Sequence, residues 1–442
     1  MTDIKEKLKQ LKKEREARSK SQRITETWEE MEKKENLSTK EKLQQLINLT
    51  REKKAQKPQT PSFEPLPREP LQFFENPYSL DIRYGKIVLS SGLDISGDVL
   101  TCLSKDSAFE TLGLSTALFI DLETTGLSGG VGVVPFNVGM GYYKNDKFYV
   151  AQYFLGDLAE EERMIKELGQ FFEEMNFQSV VTYNGKSFDI PLLETRFILY
   201  RKPLILCELP HLDFLYSARS LWGHKYENCR LFHLAHELLE ADRSEDIPSA
   251  EIPLRYFQYL QTGNFDLIEP ILYHNQEDIL SLLGVVITGA LIFSEDSDAC
   301  LADAMDFFGA GKIMENVGEI EKSVNFFQRA LDGKLTDEVS IQAKKKLSYH
   351  FKKNQGWDKA IPLWQEVASS DSISSKQLFS FRELAMYFEH KEKKYEEARK
   401  IAEEGLVLSL GVSPYYEKDF SYRLERLKRK IKKQKMKKEA QP

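Results

Sequence analysis

Ala117-Leu-Phe-Ile-Asp-Leu-Glu-Thr-Thr-Gly126 decides the fold. It is a short apolar run rich in Phe and Ile, closed by a turn signal at Thr125-Gly126, and it reads as a buried strand. Side chains alternate along a strand, so Asp121 and Glu123 project to one face and Leu122 to the other. Two carboxylates at i and i+2 on a buried strand are costly unless a cation or hydrogen-bond donor satisfies them, and a divalent metal is the usual remedy.

The segments downstream extend this strand into a sheet. Phe136-Asn-Val-Gly-Met-Gly-Tyr-Tyr143 and Lys147-Phe-Tyr-Val-Ala-Gln-Tyr-Phe-Leu155 read as two strands with a tight Asn145-Asp146 turn between them, giving a three-stranded antiparallel meander. A helix follows, capped by Asp157, with Met164, Ile165, Leu168, Phe171, Phe172 and Met175 at helical spacing. Ser179-Val-Val-Thr-Tyr-Asn-Gly185 is a further short strand, and Pro191–Leu199 a further helix. The order strand, strand, strand, helix, strand, helix predicts an α/β ribonuclease H-like mixed sheet flanked by helices. After about residue 210 the pattern is almost wholly helical.

The flanks divide accordingly. Residues 1–58 form a Lys- and Glu-rich arm whose apolar stripe is too thin for a core, and 59–72 read as a linker, with five prolines between Pro58 and Pro70. Residues 73–116, with a strand expected at Lys86-Ile-Val-Leu-Ser, lead in to the sheet domain, which spans 117–296. From 297 to 412 a repeat of 37 to 38 residues (Ala360-x3-Trp364, Ala398-x3-Ala402, Ser323-x3-Phe327) predicts tetratricopeptide-like helix pairs, which stack into a surface for a protein partner. Residues 413–442 are a basic tail, solvated or phosphate-attracting.

Composition sets the outer limits. The 442 residues are 41% hydrophobic and 11% aromatic, enough for two or three cores. No apolar run approaches the ~20 residues of a membrane span, and the N-terminus lacks a signal-peptide pattern. Cysteines 102, 207, 229 and 300 form no C-x-x-C, as expected of a cytoplasmic protein without disulfides. A net charge of -7 excludes a generally basic coat but not a local basic surface or a metal-neutralised acidic site.

Two further clusters join Asp121 and Glu123. In Tyr183-Asn-Gly-Lys-Ser-Phe-Asp189 a strand runs through a turn into a helix, and Asp189 is either a helix cap or a ligand. In Tyr273-His-Asn-Gln-Glu-Asp278, His274 and Asp278 are four apart and share a helix face, whereas Tyr273 lies about 140° from Asp278. Four carboxylates and one His are what two-metal phosphodiester hydrolysis needs: two hard divalent cations, Mg²⁺ or Mn²⁺, with His274 as proton acceptor. His224, Cys229, His233 and His236 lack paired zinc-site spacing, and Leu231, Leu234, Leu238 and Leu239 among them form an ordinary apolar helix face, so core or surface roles are expected for the four.

These three clusters resemble the three motifs of the DEDD (DnaQ-like) 3′–5′ exonuclease superfamily. Asp121-Leu-Glu-Thr-Thr-Gly is similar to the first motif and Asn184-x3-Phe188-Asp189 to the second. His274-x3-Asp278 is similar to the third, with a His at the spacing where the Tyr subgroup has Tyr, so Tyr273 is the fallback base. His211-Leu-Asp-Phe-Leu-Tyr, Leu221-Trp-Gly-His-Lys-Tyr-Glu-Asn-Cys-Arg-Leu231 and Glu251-Ile-Pro resemble the bacterial YprB-type ribonuclease H-like proteins. That resemblance implies 3′–5′ exonuclease action on DNA in repair, in the mitomycin-repair group, with a DEAD/DEAH-type helicase partner. It further implies Asp121 bridging both metals, Glu123 and Asp278 completing one site, and Asp189 reaching the second. Thr124, Thr125 and Leu127 follow the strand where a 3′-terminal nucleotide would lie. Asn184 and Lys186 are further candidates for substrate contact. The motifs do not discriminate DNA from RNA. A catalytically silent scaffold, with the repeats as its working part, is the alternative from a different class.

Overall fold

The computed structural model describes residues 69–126, 132–241, 243, 246–294, 302–370 and 375–439. The expected N-terminal arm (1–58), residues 59–68 of the expected linker, and Leu127 lie outside the described residues.

Six strands form one mixed sheet, ordered β1-β6-β5-β4-β7-β8. They are β1 (Leu71–Ser79), β4 (Ala117–Thr124), β5 (Pro135–Lys144), β6 (Lys147–Leu155), β7 (Ser179–Thr182) and β8 (His211–Asp213). The meander β4-β5-β6 is antiparallel. Asn145 and Asp146 turn it with φ of 48° and 55°, the left-handed pair that a two-residue hairpin requires. β7 runs parallel to β4, and β8 parallel to β7.

Two strands depart from the pattern reading. β1 begins inside the stretch read as linker and pairs along the whole of β6. It contains Pro77, which an edge strand tolerates because one side of its ladder has no partner. β8 has only three residues, too few to show a period. The strand expected at Lys86–Ser90 shrinks to β3 (Ile87–Val88), paired with β2 (Arg83–Tyr84). At Leu89 the chain turns into a 3₁₀ segment that buries this leucine and gives its carbonyl to the Tyr143 hydroxyl at 2.6 Å.

Helices cover both faces. Leu118, Ile120 and Leu122 of β4 face α2 (Glu161–Met175), α3 (Asp189–Leu199) and α6 (Ile252–Thr262), where Leu168, Phe172, Phe197 and Tyr256 complete one core. Phe119 faces the other core, built from α1 (Gly97–Ser104), α4 (Phe214–Trp222), α5 (Leu231–Leu239) and α7 (Glu269–Leu291). α7 lies unusually close to the sheet because β5 presents glycine at alternate positions. A Cβ on Gly139 would sit 1.9 Å from Asn275 Oδ1, and one on Gly141 would sit 2.5 Å from Ile279 Cγ2. This close approach brings the polar N-terminal half of α7 to the carboxylates of β4.

The rest is all-helical: α8 (Ala304–Asn316), α9 (Ile320–Leu331), α10 (Asp337–Lys353), α11 (Trp357–Ala368), α12 (Leu378–His390), α13 (Tyr395–Ser409) and α14 (Pro414–Glu439). Ala360, Trp364, Ala398, Ala402, Ser323 and Phe327, the residues that carried the repeat pattern, are all buried. α8 is sewn to the sheet domain. Gly309 packs on the Leu221 backbone, Trp222 Nε1 donates to Asp306 Oδ1 at 3.1 Å, and Lys225 bridges Asp303 and Asp306.

Candidate active site

β4 supplies the first two carboxylates. Asp121 and Glu123 share the face turned toward α7, as their spacing requires. Asp121 Oδ2 accepts a 2.9 Å hydrogen bond from Asn275 Nδ2, which also reaches the Asp121 carbonyl at 3.2 Å. Asn275 is itself fixed, because Gln152 Nε2 on β6 donates to its Oδ1 at 2.9 Å. Both amides are buried, and their relay leaves one oxygen of Asp121 uncommitted by it.

α7 supplies His274 and Asp278 from one face. His274 is 6% exposed, whereas its neighbour Tyr273 is 37% exposed. His274 Nε2 lies 3.3 Å from Asp278 Oδ2 and 3.8 Å from Glu123 Oε1. Ligand atoms of Glu123, His274 and Asp278 all fall within 4.8 Å of one another, and among the described residues no other His, Cys, Asp and Glu group does this.

The connection between α5 and α6 adds two residues that no periodicity pointed to. Asp246 Oδ1 is 2.5 Å from His274 Nδ1, and Arg243 reaches Asp246 with one nitrogen (2.5 Å) and Asp278 Oδ1 with the other (2.6 Å). The guanidinium also faces the Phe232 ring at 5.3 Å. Asp246 fixes the ring: Nδ1 carries the proton, and Nε2 looks into the acidic pocket.

Asp189 arrives from the other side of β4. β7 pairs with β4 only across Ala117–Phe119, so the Leu122 N–H beyond it is open and donates to Asp189 Oδ1 at 3.2 Å. The turn that delivers Asp189 is held by buried Asp213, which accepts from the amides of Asn184 (2.7 Å), Lys186 (3.1 Å) and Leu215 (3.2 Å). Asn184 adopts φ 72°, the left-handed conformation that Asn tolerates better than most residues. Lys186 is exposed at the turn. Thr124 and Thr125 tie down the end of β4: Thr124 Oγ1 donates to the Gly126 carbonyl at 2.7 Å, and Thr125 Oγ1 accepts from Val134 N at 3.0 Å.

The charges crowd one another. Burial, then the charges of Asp278 and Asp189, hold the Asp121 carboxyl well above the usual range against the opposing bond from Asn275. Burial and then Asp121 do the same to Glu123. Burial pushes Asp189 up to about 6 although the Leu122 amide opposes it. Burial disfavours the charged forms of Asp246 and His274 as well. Their mutual hydrogen bond and the opposite charges around them, Arg243 beside Asp246 and Asp278 beside His274, together outweigh it, lowering the one and raising the other. One Arg and one His do not neutralise this many carboxylates. An oxygen-rich pocket of that charge fits a hard divalent cation, Mg²⁺ or Mn²⁺, better than zinc.

The other His/Cys cluster is dispersed. His224 Nε2 contacts the Met305 carbonyl at 2.7 Å and its ring meets Phe308, while Cys229 Sγ reaches the Ala218 carbonyl at 3.8 Å.

Comparison with known proteins gives three likenesses. A family model described as RNase_H superfamily matches residues 118–288. The uncharacterized protein YprB of Bacillus subtilis (strain 168) is 32% identical over 339 residues, covering 75% of this chain and 80% of that protein. The family B DNA polymerase of the hyperthermophilic archaeon Pyrobaculum calidifontis superposes with a TM-score of 0.34 at 14% identity, over 54% of this chain and 29% of the polymerase.

Proposed function

The chain belongs to the family of YprB and carries a ribonuclease H-superfamily domain; from that premise we propose that it is a divalent-cation-dependent 3′–5′ exonuclease acting on DNA. The convergence of Asp121, Glu123, Asp189 and Asp278 with His274 at the C-terminal end of β4 carries the reading. Glu123 and Asp278 would hold one cation, Asp121 would be shared, and Asp189 would reach a second. Bound there, such cations would supply stabilisation of the charge on the attacking and leaving oxygens of an in-line displacement.

The protein's own groups do the rest. Asp246 orients His274 so that Nε2 accepts the proton of the attacking water. Arg243 holds Asp278 and Asp246 in register. Asn275 aims Asp121 through the buried amide relay, and Asp213 sets the turn that presents Asp189, Asn184 and Lys186 to the strand end. Thr124 and Thr125 lie at the same end of β4, where a 3′-terminal nucleotide would sit. The helical pairs, read as tetratricopeptide-like, would hold a protein partner, a DEAD/DEAH-type helicase in the resemblance, which would place the activity in DNA repair in the cytoplasm. None of the helices among the described residues is long and apolar enough to cross a membrane.

The test is digestion of 5′-labelled DNA and RNA, single-stranded and duplex, with Mg²⁺, Mn²⁺ or EDTA. A cation-dependent ladder shortening from the 3′ end, absent in Asp121→Asn and Asp278→Ala, is expected, and the better substrate decides DNA against RNA. One observation favours a silent scaffold instead: Arg243 and His274 already engage both oxygens of Asp278. No cleavage under any condition would select that reading.

A further inference from the structure

The C-terminal helix α14 has two different long faces. Phe420, Leu424 and Leu427, at i, i+4 and i+7, are buried against α12 and α13. Beside them, Glu389 of α12 is fully buried and takes Arg423 (3.0 Å), Arg426 (2.5 Å) and Lys430 (2.9 Å), whose charges hold its carboxyl below the usual range in spite of burial. The helix is therefore docked, and three of its cations are already spent on an internal anion.

The opposite face runs through Tyr415, Lys418, Tyr422, Glu425, Arg429 and Lys432, at alternating spacings of three and four, so it is one continuous stripe. Tyr415 and Tyr422 are each 64% exposed, large rings held in water by a helix that buries its other side. From Arg426 to Lys438, nine of thirteen residues are Lys or Arg and none is acidic, in a chain whose net charge is -7. Lys428 meets Glu425 at 2.8 Å, and no ion pair among the described residues engages Lys432, Lys433 or Lys435. Like charges three and four apart destabilise a helix, so this stretch carries a repulsion that a polyanion would relieve.

We propose that this exposed face of α14 is a nucleic-acid-binding surface separate from the acidic site, taking the phosphate backbone on Lys428, Arg429, Lys432, Lys433 and Lys435 and stacking unpaired bases on Tyr422 and Tyr415. Cations that track a backbone, interleaved with aromatic rings, are the elements of sequence-independent single-strand binding. The alternative polyanion, an anionic membrane surface, draws on the same cations together with Val407, Leu410 and Val412, which are exposed near the preceding turn. A helix lying on a membrane needs an apolar face beside its basic one, and the apolar face of α14 is already buried against α12 and α13 while the exposed stripe carries charges between its two tyrosines. The choice of nucleic acid rests on the exonuclease reading; the basic, aromatic surface does not.

The test is binding of the full chain to labelled single-stranded and duplex oligonucleotides in EDTA, by anisotropy across a salt series. Changing Lys428, Arg429, Lys432, Lys433 and Lys435 together to Gln keeps helix propensity. It is expected to weaken binding at least about tenfold and to flatten the slope of log affinity against log salt by about 3–4. A triple Gln variant at 432, 433 and 435 lies beyond the last buried residue, Leu427, cannot unseat the helix, and should give a proportionate part of the effect. Tyr422→Ala should cost single strands about fivefold or more with an unchanged salt slope. Unchanged affinity and slope in the charge variants would overturn the proposal. So would charge variants that, in a parallel sedimentation assay, lose binding to phosphatidylglycerol vesicles while their affinity for oligonucleotides is unchanged. Wild-type protein that binds through α14 yet cuts nothing would sink the exonuclease reading and leave this one standing.

Discussion

At the scale of single residues, the acidic pocket is a cost that the folded chain carries whenever no cation fills it. Asp189, raised to about 6 from an unfolded value near 4, binds more protons folded than unfolded between those values. Its contribution to stability therefore improves as pH falls from about 6 toward 4 and is unfavourable above that window. Asp189→Asn should stabilise the protein in EDTA at pH 7.5 by on the order of 1–2 kcal/mol, seen as a higher melting temperature, and have almost no effect near pH 4. Thermal melts of the two proteins across pH check this, and equal differences at both ends would refute it. Mn²⁺ should stabilise the wild type more at pH 7.5 than at pH 5.5, because protons compete for the same oxygens. Arg243 works in the opposite sense. Arg243→Met leaves Asp246 and Asp278 without their cation and should cost about 3–5 kcal/mol without metal, part of it recovered on adding Mn²⁺ in the same melts. Asp121 with Glu123, and His274 with Asp278, were legible because each pair sits in a short pattern with a reason behind it, i, i+2 on a strand or i, i+4 on a helix; Asp189 by itself read as a helix cap and joined the set through the resemblance. Arg243, Asp246 and Asp213 were not legible. Arg243 and Asp246 act across the fold from irregular chain, where no period marks which side chain turns inward, and Asp213 closes a three-residue strand too short to show one. Asn275 stood in plain view beside His274, but its role depends on Gln152, and only the three-dimensional structure pairs the two.

At the scale of elements, the decisive contact is α7 against β5, and two missing side chains make it. Gly139→Ala would place a methyl where Asn275 Oδ1 now lies. The amide must move, and Asp121 then loses its orienting donor. Gly141→Ala would press on Ile279, four residues further along the same helix. Overpacking of this kind costs about 1–3 kcal/mol, so both variants should melt lower by similar amounts. Only Gly139→Ala should also lose most of its Mn²⁺-induced stabilisation, because it alone disturbs the amide that holds Asp121. Calorimetry with and without Mn²⁺ separates them; the same loss in both would remove the special role given to Asn275. The meander β4-β5-β6, the helix α2 and the strand β7 were all readable, since each is long or sharply bounded. β1 was hidden by the prolines before it and by Pro77 within it, which speak against a strand until its edge position is known. β8 was too short to read.

At the scale of the whole molecule, the sheet domain and the helices after it read as separate units, because the periodicity changes character between them. The packing joins them. Ala310, Ile313 and Met314 of α8 and Phe326 of α9 belong to the same core as Leu221, Trp222 and Ile292. Asp306 is buried in that seam, held by Trp222 and Lys225. A chain ended after Ser294 would open this core to water along α4 and the end of α7 and strip Trp222 of both its cover and its hydrogen-bond acceptor. Exposed apolar patches of that kind drive association, so the truncated protein should be poorly soluble, or should bind a hydrophobic dye and lose its sharp thermal transition. Asp306→Ala in the full chain tests the same seam more gently. It leaves the Trp222 N–H without that partner and costs about 1–3 kcal/mol, a drop of several degrees in the melting temperature. If the truncated chain instead melts cooperatively at the wild-type temperature, the seam is dispensable, and the helices are a detachable arm rather than the second half of one core.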